Sequence, residues 1–171
     1  MAHAWPDFVD RFGHGLSANA IAFVEHYVAH HAHFATRYTG PKTLVHGDFR
    51  SENILFHGET AATVDWQTTS ESSALADAAY FLGGSLEVDD RRAAERELVE
   101  QYRAELDRCG VALSAQECWD QYREFSMHGI LITVLGATFS SADERGDRMF
   151  LAMIQRHLQH CIDVGAADFL P

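Results

Sequence analysis

Basic residues are scarce in this sequence. Lysine and arginine together number 13 against 25 aspartates and glutamates, so the formal net charge is -12 with histidine neutral. Nucleic acids are bound largely through basic side chains, and we therefore expect no nucleic-acid partner. An acidic protein can attract a cationic substrate, although acidity more often serves solubility. Lys42 is the single lysine.

Long apolar runs and a leader-like start are also absent. The longest uncharged apolar run, residues 129–137, falls well short of the roughly 20 residues that a membrane-spanning helix needs. Residues 1–7 contain neither a basic segment nor an apolar core, unlike a secretory signal. Cys109, Cys118 and Cys161 are odd in number and lack ligand-like clustering, which fits a reducing compartment. We therefore expect no contact with a membrane and a cytoplasmic location.

Proline is rare as well, with three residues, while hydrophobic residues make up 47% of the chain. This composition argues against disorder. A chain of 171 residues suits one domain with a sizeable core. We predict a single domain over residues 1–171, in which residues 1–15 form an irregular lead-in.

Most of the chain has the apolar periodicity and the caps of helices. Polar residues 68–73 are predicted to form a loop. The first predicted helix is capped by Ser17 and ended by Gly40-Pro41, the second spans 77–82 and is ended by Gly83-Gly84, and the third spans 89–108. A long fourth helix runs from the capping box at 114–117 through residues 129–137. The fifth runs from a second capping box at 141–144 to Gly165.

A β-hairpin is predicted at residues 54–64, with strands at 54–56 and 61–64 and a turn at 57–59. Asn53 precedes the first strand and Asp65 follows the second, so both lie at the same end of the hairpin, near a polar loop that carries Asp48. Oxygen ligands of this kind suit Mg²⁺, and a free carboxylate at Asp48 could accept a proton from a substrate hydroxyl. The pattern therefore predicts a magnesium site at Asn53 and Asp65 with Asp48 close by.

The spacing of His46-Gly47-Asp48, four residues and then Asn53 resembles the catalytic loop of the aminoglycoside phosphotransferase and choline kinase superfamily, whose fold is protein-kinase-like. The aspartate after the hairpin, Asp65, and the segment Ala76-Asp77-Ala78 resemble two further elements of that family. The resemblance implies that Asp48 is the catalytic base and that Asn53 and Asp65 are metal ligands. It also implies that His46 and Asp77 support the catalytic loop.

Arg50 stands two residues after Asp48, where protein kinases have a lysine that meets the transferred phosphate. A guanidinium could do the same work, which makes Arg50 a second candidate catalytic residue. The alternative is that Arg50 is a solvated loop residue or pairs with Glu52.

The resemblance covers the carboxy-terminal lobe only, roughly residues 16–170. The family's amino-terminal lobe supplies a phosphate-binding lysine, and Lys42 is in the wrong place for that role. The Gly-x-Gly string at residues 13–18 follows no apolar strand, so it does not fit a dinucleotide loop. The expected fold is therefore mainly α with a short β-hairpin, the carboxy-terminal lobe of a protein-kinase-like fold without its amino-terminal lobe.

The activity that the resemblance implies is Mg²⁺-dependent transfer of the γ-phosphoryl group of ATP or GTP to a hydroxyl of a small, possibly cationic, molecule. Without an upstream lobe we expect the chain to be a poor kinase alone. Turnover would need a second chain or the absent lobe. The surface left by that lobe should be unusually apolar and could drive self-association. One alternative is a truncated, non-catalytic remnant that binds a ligand or partner. Another is a metal-dependent hydrolase that uses His46, Asp48 and Asp65.

Two groups of histidines have simple structural explanations. His26, His30 and His33 share a helix face and could bind a transition metal, but a solvated face is the simpler interpretation. His157 and His160 are predicted to interact with a helix dipole near a carboxy-terminal end.

Overall fold

The computed structural model of the protein describes residues 1–141 and 143–171, without the side chains of His33 and Ala35. Within those residues the chain is mainly helical with two short antiparallel strand pairs, which confirms the mainly α fold with a hairpin. The elements are α1 (Ala4–Phe12), α2 (Ala18–Arg37), β1 (Thr43–Val45), β2 (Ile54–His57), β3 (Thr60–Thr63), β4 (Ser70–Ser72), α3 (Leu75–Ser85), α4 (Val88–Arg108), α5 (Ala115–Phe125), α6 (His128–Phe139) and α7 (Glu144–Val164).

The chain divides into two compact units. One consists of Met1–Thr39 and Met127–Pro171, and the other of Gly40–Ser126. All the candidate site residues lie in the second unit. That the whole chain is one domain stays a prediction. No helix in the described part of the chain is both long enough and apolar enough to cross a membrane.

Helix α1 belongs to the first unit. Because it covers most of residues 1–15, the expectation that this segment is an irregular lead-in is wrong. Pro6 is tolerated because it stands in the first turn, where the helix has no partner for its N–H. Phe8 and Phe12 are buried, and α1 packs against α6. Arg11 donates to the carbonyl oxygen of Ala137 near the end of α6 at 3.1 Å, so it satisfies a helix-terminal acceptor.

Helices α6 and α7 approach each other closely in the first unit. A Cβ atom added at Gly129 would lie 2.0 Å from Nδ1 of His157. His157 and His160 are both fully buried toward the carboxy-terminal end of α7. Because burial disfavours the charged imidazole, the predicted dipole interaction is wrong for His157, and for His160 it stays a prediction. Burial, with smaller effects of His128 and Arg156, lowers the pKa of His157 to about 3.

The histidines of α2 are more exposed. The ring of His26 meets that of His30 edge-on at 4.7 Å, and His26 lies on the surface. This is consistent with a solvated face. The side chain of His33 lies outside the described residues, so the predicted three-histidine face is only partly visible.

The helix ends predicted at Ser17, Ser114 and Gly165 are confirmed. Ser17 caps α2, since its Oγ accepts the N–H of Ala20 at 3.1 Å. Ser114 and Glu117 form a reciprocal capping box at the start of α5. Gly165 ends α7 in the left-handed conformation with φ 66°.

Three predicted boundaries are wrong. The long helix after Ser114 breaks into α5 and α6 where the Ser126 hydroxyl donates to the Arg123 carbonyl at 2.6 Å, a competing local bond. The cap of α7 is the carboxylate of Asp143, not Ser141. Helix α3 runs through Gly83-Gly84 instead of stopping there, with Gly83 buried.

The second unit contains both strand pairs. Strands β2 and β3 form the predicted hairpin, with Ile54 opposite Thr63. Strand β4 pairs with β1, with Thr43 opposite Ser72, inside a segment that was predicted to be a polar loop. Its Ser-Glu-Ser sequence has little strand propensity, so the pairing comes from the position of β1. Helix α3 packs against α4 and α5.

Candidate active site

The candidate site is built around the loop that leaves β1. The ring of His46, 1% exposed, joins this loop to the end of β3. Its Nε2 lies 2.8 Å from the carbonyl oxygen of Val64, and its Nδ1 lies 3.2 Å from the backbone nitrogen of Asp48. A carbonyl only accepts and a backbone N–H only donates, so the imidazole carries its proton on Nε2.

The carboxylate of Asp77, in the first turn of α3, lies against the backbone of the same loop. Its Oδ2 accepts the N–H of His46 at 2.6 Å and its Oδ1 accepts the N–H of Gly47 at 3.0 Å. On the other side, the hydroxyl of Thr68 donates to the His46 carbonyl oxygen at 2.8 Å. Both backbone polar groups of His46 are thus paired with side chains from outside the loop.

Gly47 allows this close approach. Its φ of 82° is one that L residues rarely adopt, and a Cβ atom there would lie 2.6 Å from the carbonyl oxygen of Thr68. The loop therefore needs glycine for two reasons, the backbone conformation and the space.

The Asp48 carboxylate is surrounded by three side chains. Its Oδ1 accepts the hydroxyl of Tyr80 at 2.7 Å, and its Oδ2 accepts Nδ2 of Asn53 at 3.2 Å. The Nε atom of Arg50 lies 3.6 Å from the same Oδ2. Burial, followed by the nearby Asp48 carboxylate, raises the pKa of Tyr80, so its hydroxyl stays protonated and remains a donor.

Asn53 and Asp65 lie at the same end of the hairpin. Asn53 is buried, its carbonyl accepts the N–H of Val64 at 2.9 Å, and its Nδ2 also donates to the Asp48 carbonyl at 2.8 Å. Since Nδ2 faces Asp48, Oδ1 is the amide atom that could bind a cation. Asp65 is exposed and left-handed, with φ 64°. A non-glycine residue with this backbone is strained, and such strain often accompanies function.

Asn53 and Asp65 are chemically suited to Mg²⁺. Among the described residues, no group of three or more His, Cys, Asp or Glu side chains could hold a metal ion. Magnesium, however, usually keeps several waters and takes one or two carboxylates together with substrate phosphates. One carboxylate and one amide oxygen match the ligands that a magnesium–nucleotide complex takes from a protein, and not those of a dedicated metal cage.

Arg50 lies beside Asp48, with about a quarter of each side chain exposed, 24% and 23% respectively. Glu52, its suggested alternative partner, accepts the hydroxyl of Ser51 at 3.1 Å. The position next to the candidate base is compatible with a contact between Arg50 and a phosphate.

A largely apolar cavity of about 430 Å³ adjoins the loop, which is within the size range of small-molecule pockets. Its polar lining groups include Asp77 and Tyr102. The remaining lining residues are His46, Phe49, Trp66, Ala78, Phe81, Leu82 and Leu98.

A loop with the His-Gly-Asp motif, a following hairpin and a supporting helix are features of the protein-kinase-like superfamily. The model of the ecdysteroid kinase-like family, which is part of that superfamily, matches residues 5–114. This match spans more than half of the chain, and the chain belongs to the ecdysteroid kinase-like family. The match begins before residue 16, where the sequence resemblance was placed. That only the carboxy-terminal lobe is present stays a prediction.

One curated relative matches over a short stretch. Acyl-CoA dehydrogenase family member 10 of Mus musculus is 49% identical over 41 residues, which are 22% of this chain and 4% of that protein. The chain thus matches only a small part of that relative's length, and nothing about the activity of this chain follows from the relative's name. No solved structure matches the chain significantly.

Two residues of the site were missed by the sequence analysis. Tyr80 follows Asp77 by three residues, and residues at that spacing share a helix face. This signal could have found Tyr80. No comparable sequence signal indicates Thr68. It follows β3, and its hydroxyl bonds to His46, which lies far earlier in the chain.

Proposed function

We propose that this chain is the phosphotransferase lobe of a small-molecule kinase that transfers the γ-phosphoryl group of ATP or GTP to a hydroxyl. The main support for the proposal is the position of the Asp48 carboxylate. It lies between Tyr80, Asn53 and Arg50 at the end of the hairpin that also bears Asp65. Membership of a kinase-like family supports the same class of reaction.

In the proposed reaction, Asp48 accepts the proton of the acceptor hydroxyl while the acceptor oxygen bonds to the γ-phosphorus. The bond from the γ-phosphorus to its bridging oxygen breaks, and the nucleoside diphosphate leaves. Arg50 would stabilise charge on the transferred group. Asn53 and Asp65 would hold Mg²⁺, which neutralises phosphate charge when bound.

The cavity beside the loop favours an apolar acceptor that carries hydroxyl groups. Phe49, Phe81 and Leu82 contribute to its largely apolar lining, which suits a fused-ring or aliphatic body better than a cationic sugar. The family is named for ecdysteroid kinases, and this points in the same direction. A cationic acceptor, which the net charge of -12 would attract, is the competing class.

As part of the proposal, a second polypeptide completes the nucleotide site. Support comes from strand β2, where Leu55 and Phe56 are 58% and 74% exposed. Large exposed apolar side chains often mark contact surfaces. The completing polypeptide would be a separate lobe or a second copy of this chain. The odd number of cysteines supports a cytoplasmic location for the reaction.

The test is a transfer assay with γ-labelled ATP and GTP, Mg²⁺ and the purified chain at high concentration. The acceptors are a steroid polyol, an aminoglycoside, a choline-like amine and a sugar. We expect slow labelling, strongest for the steroid polyol. In Asp48→Asn the rate should fall by about 10²–10⁴-fold, the usual contribution of a general base.

The matched control is Asp90→Asn, because Asp90 is an exposed carboxylate in the first turn of α4. Its rate should equal that of the unmodified chain. Labelling that persists in Asp48→Asn would contradict the proposed role of the base. No labelling of any acceptor would instead favour a non-catalytic ligand-binding domain.

A further inference from the structure

We propose that Tyr80 is a positioning residue that fixes the direction of the Asp48 carboxylate. The inference rests on the proposed role of Asp48 as the base. The Tyr80 hydroxyl donates to Oδ1 at 2.7 Å, the usual length of a well-formed O–H···O hydrogen bond. Tyr80 itself is 1% exposed, so it cannot reach an acceptor molecule in solvent.

An aspartate needs such a contact in order to aim its lone pairs. The last torsion of its side chain is broad and roughly two-fold, and the ionised group offers about four acceptor sites. A donor on one oxygen alone would leave the plane of the carboxylate free to tilt. Tyr80 holds Oδ1 and Asn53 holds Oδ2, and these two donors come from different elements of the second unit. Together they select one orientation.

Helix α3 places Tyr80 rigidly. Ala76 and Ala79, which precede Tyr80 in the helix, are buried. Asp77, one turn before Tyr80, accepts the N–H groups of His46 and Gly47. Residues at i and i+3 share a helix face. One face of α3 therefore contacts both the backbone of the loop, through Asp77, and the side chain of Asp48, through Tyr80.

The two carboxylate oxygens consequently differ. Oδ1 points toward the buried Tyr80, while Oδ2 lies on the side of Arg50, whose side chain is partly exposed. Oδ2 accepts Nδ2 of Asn53 with one lone pair, and we assign its second lone pair, on the more exposed side, as the one that receives the acceptor proton. Tyr80 does not touch the reacting atoms, and its effect acts through Asp48.

The variant Tyr80→Phe removes the hydroxyl and keeps the buried ring. The matched control is Tyr122→Phe in the same unit, because Tyr122 is also fully buried and its hydroxyl also donates to a carboxylate, that of Glu95 at 3.2 Å. In the transfer assay, kcat of Tyr80→Phe should fall about tenfold to a hundredfold, the scale of a slightly misplaced reacting group. KM should stay within about twofold, because no acceptor contact is lost. Tyr122→Phe should keep both constants.

A spectroscopic measurement checks the contact without turnover. In the chain labelled with ¹³Cγ-aspartate, the signal of Asp48 is assigned by its loss in Asp48→Asn. That signal should move in Tyr80→Phe and stay in place in Tyr122→Phe. An unmoved signal would overturn the inference, whatever the activity.

The two proposals fail in different ways. Equal losses of kcat in both phenylalanine variants would mean that Tyr80 only stabilises the fold, which overturns the positioning role. Asp48-dependent turnover with an unchanged kcat in Tyr80→Phe would also overturn it, and would leave the proposed function standing. If the unmodified chain labels no acceptor, the proposed function fails, and the NMR comparison alone decides whether Tyr80 orients Asp48.

Discussion

Removing the Asp77 carboxylate should destabilise the loop that carries Asp48. In Asp77→Ala, the N–H groups of His46 and Gly47 lose their acceptor oxygens, now at 2.6 and 3.0 Å. An unsatisfied buried group costs about 1–3 kcal/mol, or about 2–6 kcal/mol for two. Asp77 is only partly buried, so water can replace part of the loss, and we expect about 2 kcal/mol. For a chain of this length that lowers Tm by about 4–8 °C.

Thermal unfolding followed by circular dichroism measures the change. The control is Asp90→Ala, which also removes a carboxylate from the first turn of a helix but from an exposed position. It should lose only the helix-dipole contribution, about 0.3–1 kcal/mol. Amide hydrogen exchange at His46 and Gly47 should accelerate only in Asp77→Ala. A Tm equal to that of Asp90→Ala, with unchanged exchange at both amides, would refute the bracing role of Asp77.

Three further predictions concern local conformation and pH. Gly47→Ala should destabilise the protein more than Gly58→Ala in urea titrations, because both have positive φ but only the first meets an atom, the Thr68 carbonyl oxygen at 2.6 Å; equal losses would contradict this. Asp65→Ala should be about 1 kcal/mol less stable than Asp65→Asn, since asparagine tolerates the left-handed backbone better; equal stability would refute the strain. The folded-state pKa of His157, about 3, lies below the ordinary value of 6.5, so its contribution is complete above pH 6.5 and is lost as pH falls toward 3. The free energy of unfolding should therefore drop by about 2 kcal/mol between pH 6.5 and 5, a slope that disappears in His157→Gln and remains in the exposed His26→Gln.

The hairpin and its flanking polar residues could be predicted because their signals are local. A turn between two short apolar runs sets the register, and the register places Asn53 and Asp65 at one end. The caps at Ser17 and Ser114 are equally local, since each hydroxyl bonds a backbone group three residues away.

Features that depend on distant contacts could not be predicted. The strand at 70–72 forms only because β1 lies beside it, and its own residues do not favour a strand. The burial of His157 depends on the close approach at Gly129, almost thirty residues earlier in the chain. Tyr80 is an intermediate case, because its spacing from Asp77 was visible but its contact with Asp48 was not.

We propose that Asn53 and Asp65 hold the divalent cation of a nucleotide complex beside Asp48. The most direct test replaces Mg²⁺ with paramagnetic Mn²⁺ and records amide NMR signals of the chain with ATP or GTP. We expect strong broadening centred on residues 48, 53 and 65. That broadening should be lost in Asp65→Asn and retained in Asp90→Asn. Broadening that is diffuse, centred elsewhere or unchanged in Asp65→Asn would contradict the claim.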